Sequence, residues 1–395
     1  MEGDFIKIND WLRPLSFFYG TAVKLRNALF DMGVLKSRAF DVPVIAVGNI
    51  TVGGTGKTPH VEYLVRLLKD KVSVAVLSRG YKRKSKGFQL ATAQSTVADV
   101  GDEPLQMKHK FPQVTVAVDR KRVRGIERLT AGDTPRPIDV VLLDDAFQHR
   151  YVKPGVNILL VDYHRLIIYD ALLPAGRLRE PMTEKNRADI VIVTKCPKTL
   201  KPMEFRVITK AMNLYPYQKL FFTTFTYEPL QPVFPNECRE PAVDLTKSQA
   251  NVLLVTGIGS PRQMEEDLLT MVDKSRLTTL HYADHHNFSR KEIDTLNQRF
   301  SALPEPRLVV TTEKDATRLL QADNLSPDVR RRLYMLPVSI RFMQEEQEEM
   351  FNQNIIGYVQ KNSRNSILVK SKDDHKSQDR HRAGDRPRTI SFRNN

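Results

Sequence analysis

The residues whose types and spacing best indicate chemistry lie at positions 44–58, in the sequence VIAVGNITVGGTGKT. The apolar run at 44–47 predicts a buried strand, and a glycine-rich turn that ends in Lys57 and Thr58 follows it. Apolar residues at three- and four-residue spacing then predict a helix. The order of strand, glycine loop, Gly-Lys-Thr and helix is typical of a phosphate-binding loop.

This loop predicts that the chain binds a nucleoside triphosphate. Glycines allow backbone N–H groups to turn inward around phosphate oxygens, and the helix N-terminus adds a partial positive charge. Lys57 is expected to contact the β- and γ-phosphates and Thr58 to bind Mg²⁺. The usual pattern has glycine at position 51, where this chain has threonine. The predicted nucleotide-binding residues of the loop are Thr51, Val52, Gly53, Gly54, Thr55, Gly56, Lys57 and Thr58.

Regular elements around the loop must position these residues. Apolar runs predict strands at 44–48, 73–78, 114–118, 139–143, 157–161 and 189–194. Helical spacing predicts helices at 58–70, 102–110, 120–131 and 182–187. This alternation predicts an α/β fold with a mostly parallel sheet covered by helices on both faces. Ligands bind such sheets at the carboxyl ends of the strands.

Carboxylates follow the strand at 139–143 and open the helix at 102–110. An acidic pair at a strand tip, here Asp144 and Asp145, is the expected partner of Mg²⁺ in a P-loop protein. Taken alone, Asp-Asp after a strand more often forms a turn. Asp102 and Glu103 either cap their helix or supply a general base near the transferred phosphoryl group.

Two loops carry basic residues toward the same edge of the sheet. The stretch at 79–86 is either a solvated loop or a phosphate-binding surface. Arg179, in the loop at 172–181, is a candidate for stabilising charge on a transferring phosphate, and the alternative is a surface salt bridge. After the strand at 189–194, Pro197 occupies the position where GTP-binding proteins commonly have a guanine-reading Asp. ATP is therefore favoured over GTP.

The C-terminal half predicts a second, smaller α/β unit at 249–360, which follows an irregular connector at 231–248. Its cluster Asp284-His285-His286 is either a solvated loop or the source of a histidine that works with a carboxylate of the first unit. Histidine titrates near neutral pH, as a group that handles protons must. The cysteines Cys196 and Cys238 have no partners at metal-ligand spacing, so neither a disulfide framework nor a zinc site is predicted.

The charge balance indicates an anionic partner. The 395 residues carry a formal net charge of +15, and the segment at 361–395 holds ten Lys and Arg against four Asp. That segment predicts a basic disordered tail. Neither basic run interleaves aromatic residues in the pattern of a nucleic-acid-binding module, so no nucleic acid is expected as a partner.

The first 35 residues predict one amphipathic helix. Its apolar stripe comprises Trp11, Leu15, Phe18, Ala22, Leu25 and Leu29. The longest uncharged stretch, at 14–23, is far shorter than the roughly 20 residues that a membrane span needs. Composition leaves two interpretations open, a helix packed on the domain and an interfacial helix with an aromatic face and basic flanks.

Taken together, the motifs resemble those of the tetraacyldisaccharide 4′-kinase family. In chain order they are GN-x-T-x-GGTGKTP, SRGY, GDEP, DDAFQHR, LLPAGRLREP, TGIGSP, DHH-x-F and TTEKDA. The likeness covers about residues 10–345. One departure is Ala146, where the family commonly has glycine beside the acidic pair. The basic tail lies outside the likeness.

The resemblance implies a membrane-associated kinase at the cytoplasmic face of the inner membrane. Such an enzyme moves the γ-phosphate of ATP, with Mg²⁺, to the 4′-hydroxyl of an acylated glucosamine disaccharide 1-phosphate in lipid A biosynthesis. The resemblance also favours the interfacial interpretation of the N-terminal helix. The protein is expected to be a monomer. The implied domains are 1–35, the membrane-associating helix; 36–230, the kinase core; 231–248, the connector; 249–360, the smaller domain; and 361–395, the tail.

Residue by residue, the resemblance implies the following roles. Asp102 and His285 match the family's paired proton-abstracting groups, with His286 as the alternative to His285. The implied catalytic residues are Asp102, His285, Lys57 and Arg179, the implied metal ligands are Thr58, Asp144 and Asp145, and Gln148 and His149 are placed near the nucleotide or phosphate.

Two other functions compete with the kinase. A P-loop ATPase switch that controls a partner protein is disfavoured by Val52, because dimeric switches of this type have a lysine before the glycine pair. A nucleic-acid-binding protein is disfavoured by the location of the positive charge, since much of it lies in the tail and in one loop.

Overall fold

The computed structural model describes residues 8–363, except Arg239, Pro241, Gly259, Ser260, His285 and Asn287. The predicted catalytic His285 and nearly all of the predicted tail therefore lie outside the described residues. The strands are β1 (Val44–Gly48), β2 (Val74–Ser78), β3 (Gln89–Leu90), β4 (Thr115–Val118), β5 (Val140–Asp144), β6 (Val156–Asp162), β7 (Ile190–Thr194), β8 (Lys219–Tyr227), β9 (Gln231–Pro232), β10 (Asn251–Thr256), β11 (Leu277–His281), β12 (Arg307–Thr312), β13 (Leu333–Leu336) and β14 (Val338–Phe342). The helices are α1 (Arg13–Asp31), α2 (Lys57–Leu68), α3 (Val97–Val100), α4 (Asp102–Lys110), α5 (Arg122–Thr130), α6 (Pro202–Met212), α7 (Pro261–Leu268), α8 (Arg290–Ser301), α9 (Glu313–Leu319), α10 (Pro327–Arg332) and α11 (Glu345–Asn362).

In the described part of the chain, nine strands form one sheet in the order β14-β8-β7-β6-β1-β5-β2-β4-β3. Pairing is parallel from β8 through β4, and the two edge strands β14 and β3 run antiparallel to their neighbours. The central strands are apolar throughout because helices cover both faces of the sheet. One core contains side chains of α2, α4 and α11, and the cores on the other face contain those of α5 and α6. The predicted mostly parallel sheet is confirmed.

A smaller sheet of five described strands follows, in the order β11-β10-β12-β13-β9. All its pairs are parallel except that of β9 with β13. The chain then returns to the larger sheet, because β14 pairs with β8 and α11 packs on the same core as α2. Residues 338–360, which the predicted range assigned to the smaller domain, thus contribute to the larger sheet. The remaining domain boundaries stay predictions.

Helix α1 turns its polar and small residues inward. Its buried residues are Ser16, Gly20, Asn27 and Phe30. The predicted apolar stripe faces outward, since Trp11, Leu15, Phe18, Ala22 and Leu25 are exposed. Within the described ranges, none of the helices combines the length and the apolar composition that crossing a bilayer requires.

Candidate active site

The glycine loop lies between β1 and α2, at the carboxyl edge of the larger sheet. Gly53 has φ +120° and Gly56 has φ +81°, values that residues with a Cβ rarely adopt. A Cβ on Gly56 would also lie 2.9 Å from the Phe225 ring. Among the described residues, the amides of Gly54 and Gly56 have no hydrogen-bond acceptor. The loop therefore presents free N–H groups at a helix N-terminus, as phosphate binding requires.

Neighbouring strands support the loop from beneath. Thr194, at the end of β7, donates its hydroxyl to the Thr55 carbonyl at 3.0 Å. The His60 ring lies 2.7 Å from the Gly56 carbonyl through Nδ1 and 3.0 Å from the Thr223 hydroxyl through Nε2. Burial lowers the pKa of His60 to about 4, so the ring is neutral near pH 7. A neutral ring can donate from Nδ1 and accept at Nε2, which suits both partners.

The other side of the loop is paired with the segment that carries Arg179. Val52 N donates to the Arg177 carbonyl at 2.8 Å, and Arg179 N donates to the Ile50 carbonyl at 2.7 Å. The Tyr19 hydroxyl of α1 donates to the Arg179 carbonyl at 2.8 Å. The backbone of Arg179 is thus held between the loop and the N-terminal helix.

Lys57 and Arg179 converge on one carboxylate. Lys57 Nζ lies 3.5 Å from Asp145 Oδ1, and Arg179 NH1 lies 3.6 Å from Asp145 Oδ2. Burial acts to raise the pKa of Asp145, but the two cations hold it below its usual value. Asp145 also adopts a left-handed φ of +47°, which Asp tolerates better than most residues. Three of the predicted residues therefore meet at the expected position.

Asp144 is buried beside this group, at the end of β5. Its Oδ1 atom has no hydrogen-bond partner in the described structure. Burial raises the pKa of Asp144 well above its usual range, and the carboxylates of Glu103 and Asp145 raise it further. A divalent cation would stabilise a buried carboxylate that has an unpartnered oxygen and lies near two further carboxylates.

The donor set near Asp144 fits Mg²⁺. The described residues contain no group of three or more His, Cys, Asp or Glu side chains that could hold a metal. Magnesium in a P-loop site does not need one, because it takes a Thr hydroxyl, a carboxylate, water and phosphate oxygens. Thr58, Asp144 and Asp145 would supply the protein ligands, and these assignments stay predictions.

Asp102 opens α4 and is buried. Its Oδ1 accepts the N–H of Glu103 at 3.0 Å, and its Oδ2 pairs with the guanidinium of Arg318 on α9. Glu103, rather than Asp102, lines the open cleft. Burial raises the pKa of Glu103, and Lys314, 3.8 Å away, opposes that rise. The sequence had indicated no partner for Asp102 on α9.

The described histidine of the Asp284-His285-His286 cluster has local partners. His286 Nε2 lies 2.9 Å from both carboxylate oxygens of Glu292, and its ring stacks on Tyr282 with centroids 5.0 Å apart. The hydrogen bond with His286 is the largest cause that lowers the pKa of Glu292 to about 2. These contacts fix the orientation of the His286 ring, and the pairing of Asp102 with His285, or with His286 as the alternative, stays a prediction.

A cleft of about 230 Å³ extends from the glycine loop toward the smaller sheet. The larger unit contributes the loop and Glu103 to the lining, and the smaller unit contributes Asp284 and Lys314. The apolar lining consists of Phe225, Tyr227, Ile258, Met264, Leu336 and Val338. A lining that combines charged and apolar side chains suits a nucleotide, which has both phosphates and a base.

Gln148 and His149 lie outside the lining of this cleft. The Gln148 side chain donates to the Asn49 carbonyl at 2.5 Å, and the main-chain carbonyl of Gln148 accepts from Arg26 of α1 at 3.1 Å. Burial lowers the pKa of His149 to about 4, and the nearby cations Arg122 and Arg26 lower it further. Both residues thus lie between the loop and the N-terminal helix, and their predicted contact with nucleotide or phosphate stays untested.

Several site residues escaped the sequence analysis. Glu313 and Lys314 lie in the TTEKDA motif and Arg318 follows it by two residues, and all three side chains pair with residues of α4. Lys195 lines the cleft and pairs with Asp162 at 2.8 Å. Their signal was present as a charged run directly after a strand, but nothing local indicated which neighbour each would contact.

Comparison with known proteins agrees with this geometry. The family model for tetraacyldisaccharide-1-P 4′-kinase, LpxK, matches residues 8–356. A tetraacyldisaccharide 4′-kinase of Phocaeicola vulgatus is 55% identical, over 93% of this chain and 99% of the relative. One of Bacteroides thetaiotaomicron is 53% identical, over 95% of this chain and 100% of the relative. The crystal structure of Aquifex aeolicus LpxK in complex with ATP superposes with a TM-score of 0.67 at 30% identity, over 88% of this chain and 99% of that one. The chain therefore belongs to the LpxK family of tetraacyldisaccharide 4′-kinases.

Proposed function

We propose that this chain transfers the γ-phosphate of ATP to the 4′-hydroxyl of a tetraacylated glucosamine disaccharide 1-phosphate in lipid A biosynthesis. The observation that carries the proposal is the convergence of Lys57 and Arg179 on Asp145 beside the glycine loop, in a chain of this family. In the proposed reaction those cations would stabilise the charge that develops on the transferring phosphoryl group.

The described side chains suit the steps of an in-line transfer. The loop amides and Lys57 would hold the phosphates, while Arg179 stabilises the equatorial oxygens. Asp102 would accept the proton of the 4′-hydroxyl as the new O–P bond forms and the bond to the β-phosphate oxygen breaks. Magnesium, held by Thr58 and the acidic pair, would offset negative charge on the phosphates.

The surface of α1 supports a membrane location for the acylated substrate. Phe17 and Phe18 of α1 are exposed, as is Trp11 in the turn that precedes the helix, and Arg13 and Lys24 of α1 provide positive charge. An amphipathic helix with aromatic residues and basic flanks lies in the interface of a bilayer. The same helix hydrogen-bonds the Arg179 segment, so it would place the catalytic edge near the lipid. That the face is the cytoplasmic one, and that the chain is a monomer, stay predictions.

A transfer assay tests the proposal. The protein is incubated with γ-labelled ATP, Mg²⁺ and the lipid disaccharide 1-phosphate in detergent micelles, and the label is sought in the glycolipid. The Lys57→Ala variant and an acceptor that lacks the 4′-hydroxyl are the controls, and neither should give labelled lipid. ATP turnover that does not depend on the acceptor, with no labelled lipid, would instead indicate an ATPase switch.

A further inference from the structure

A buried chain of charges connects Asp102 to the smaller unit. Arg318 lies between two carboxylates, with NH2 on Asp102 Oδ2 and NH1 3.0 Å from Asp315 Oδ1. The side chains of all three residues are at most 5% exposed. Removing such charges from water is costly unless each is paired and hydrogen-bonded. Arg318 and its two carboxylates therefore depend on one another in the folded protein.

Asp315 continues the chain toward the loops that face the cleft. Its Oδ2 accepts the N–H of Gly257 at 2.8 Å and the hydroxyl of Thr312 at 2.7 Å. Gly257 follows β10, and a Cβ there would lie 3.1 Å from Asp315 Oδ1 and 3.3 Å from the Ala283 carbonyl. The charge chain is therefore packed directly against the segment that leads into the Asp284-His285-His286 cluster.

The setting explains why Asp102 needs a fixed cation. Asp102 is buried, and Glu103 and, more distantly, Asp144 add negative charge around the start of α4. Without a partner, a buried carboxylate among other carboxylates would take up a proton or turn away. A planar guanidinium can satisfy two carboxylates at once in a fixed geometry, which an ammonium group does less well.

We propose that Arg318 is a positioning residue for phosphoryl transfer, which holds Asp102 ionised and oriented and ties it, through Asp315, to the loops of the smaller unit. The proposal rests on the proposed function, in which Asp102 takes the proton of the acceptor hydroxyl. Arg318 itself contacts no reacting atom in this assignment.

The test compares steady-state kinetics of the wild type with Arg318→Gln, Arg318→Lys and Asp315→Asn in the transfer assay. We expect Arg318→Gln to lower kcat about 10²-fold, the scale of losing a general base, while the KM for ATP changes less than about 3-fold. Arg318→Lys keeps the charge and should recover much of the loss. Asp315→Asn should lower kcat less, because Arg318 stays paired with Asp102.

Matched controls separate positioning from folding. Arg332→Gln removes a cation of the same unit whose pairs with Glu305 and Asp328 are partly exposed, and it should leave the kinetics unchanged. Binding of a fluorescent ATP analogue reports whether each variant retains its nucleotide site. If Arg318→Gln does not fold, Asp315→Asn carries the test: it should still lower kcat without a matching rise in the KM for ATP, and a wild-type kcat in this variant overturns the proposal.

Two further outcomes would refute the positioning role of Arg318, and a third would contradict the proposed function. A folded Arg318→Gln protein with wild-type or higher kcat refutes the positioning role, and so does a loss expressed only in the KM for ATP. A wild-type protein that labels no lipid contradicts the proposed function instead, so the two failures are distinguishable.

Discussion

The outward apolar face of α1 allows membrane affinity to be predicted from exposed side chains. Trp11 is 92% exposed, and Phe17 and Phe18 are each 70% exposed. We consider the triple substitution Trp11→Ser, Phe17→Ser and Phe18→Ser. All three residues point away from the buried contacts of α1, so the fold should tolerate their loss.

The expected effect follows from the surface that a bilayer would cover. Fully burying a large apolar side chain contributes about 2 kcal/mol, so three side chains exposed to this extent contribute about 4–5 kcal/mol. That free energy corresponds to a partition coefficient about 10³-fold lower for the triple variant. Arg13 and Lys24 remain, so a weaker attraction to anionic lipid, about 1 kcal/mol per basic residue, should persist.

Vesicle flotation measures this partition directly. Vesicles that contain phosphatidylcholine and phosphatidylglycerol are mixed with each protein, and the bound fraction is followed against lipid concentration. The control is Met203→Ser with Val207→Ser, which removes exposed apolar residues from α6 and should not alter binding. The exposed surface predicts a partition coefficient about 10³-fold lower for the triple variant. If the variant stays folded and its partition coefficient is within about 3-fold of the wild type, these side chains do not make the membrane contact.

Four further predictions concern the interior and the site. Lys57→Ala should abolish phosphoryl transfer because it removes the cation beside the phosphates, and near-normal turnover would contradict that role. Asp144→Asn should raise the Mg²⁺ concentration for half-maximal rate by more than about 10-fold, since outright loss of one charged ligand weakens such sites strongly, and an unchanged magnesium titration would argue against ligation. His60 is neutral when folded, with its pKa near 4 instead of 6.5, so its contribution to stability is present above pH 6.5 and is lost as pH falls toward 4. Between pH 7 and pH 5 the wild type should therefore lose about 2 kcal/mol more of its free energy of unfolding than His60→Gln, as urea denaturation can show. Lys110→Met leaves the buried carboxylates of Glu62 and Glu313 without the cation that lies 2.6 and 2.5 Å from them, and the free energy of unfolding should fall by about 3 kcal/mol; an unchanged urea midpoint would mean that the pair is neutral or solvated.

Local sequence signals predicted most of the larger sheet. Buried parallel strands are continuous apolar runs, and the predicted strands at 44–48 and 189–194 coincide with β1 and β7 to within one residue. The glycine loop could be placed because its residue types are dictated by phosphate geometry over a few adjacent positions. The proximity of Lys57 and Asp145 could also be predicted, because both residues follow strands that end at the same edge of the sheet.

Contacts that span long stretches of sequence could not be predicted in this way. Arg318 pairs with Asp102 across 216 positions, and neither residue type nor spacing indicates that partnership. The return of β14 to the larger sheet is also nonlocal, because its five residues alternate apolar and polar side chains, a pattern that fits an edge of either sheet equally well. For α1, the stripe was visible in the sequence, but which face packs depended on the small Gly20, whose Cα lies against Leu172 with no room for a Cβ.

The antiparallel pairing of β8 with β14 has a consequence for the architecture as a whole. Tyr227 and Val338 lie opposite each other, so the chain leaves the larger sheet and comes back to it at neighbouring positions. The intervening segment of about 110 residues therefore begins and ends at adjacent positions of the larger sheet. A hairpin turn of two to five residues is long enough to connect those two positions. A shortened chain with that turn would keep every strand of the larger sheet and its nucleotide loop, while lacking half of the cleft wall.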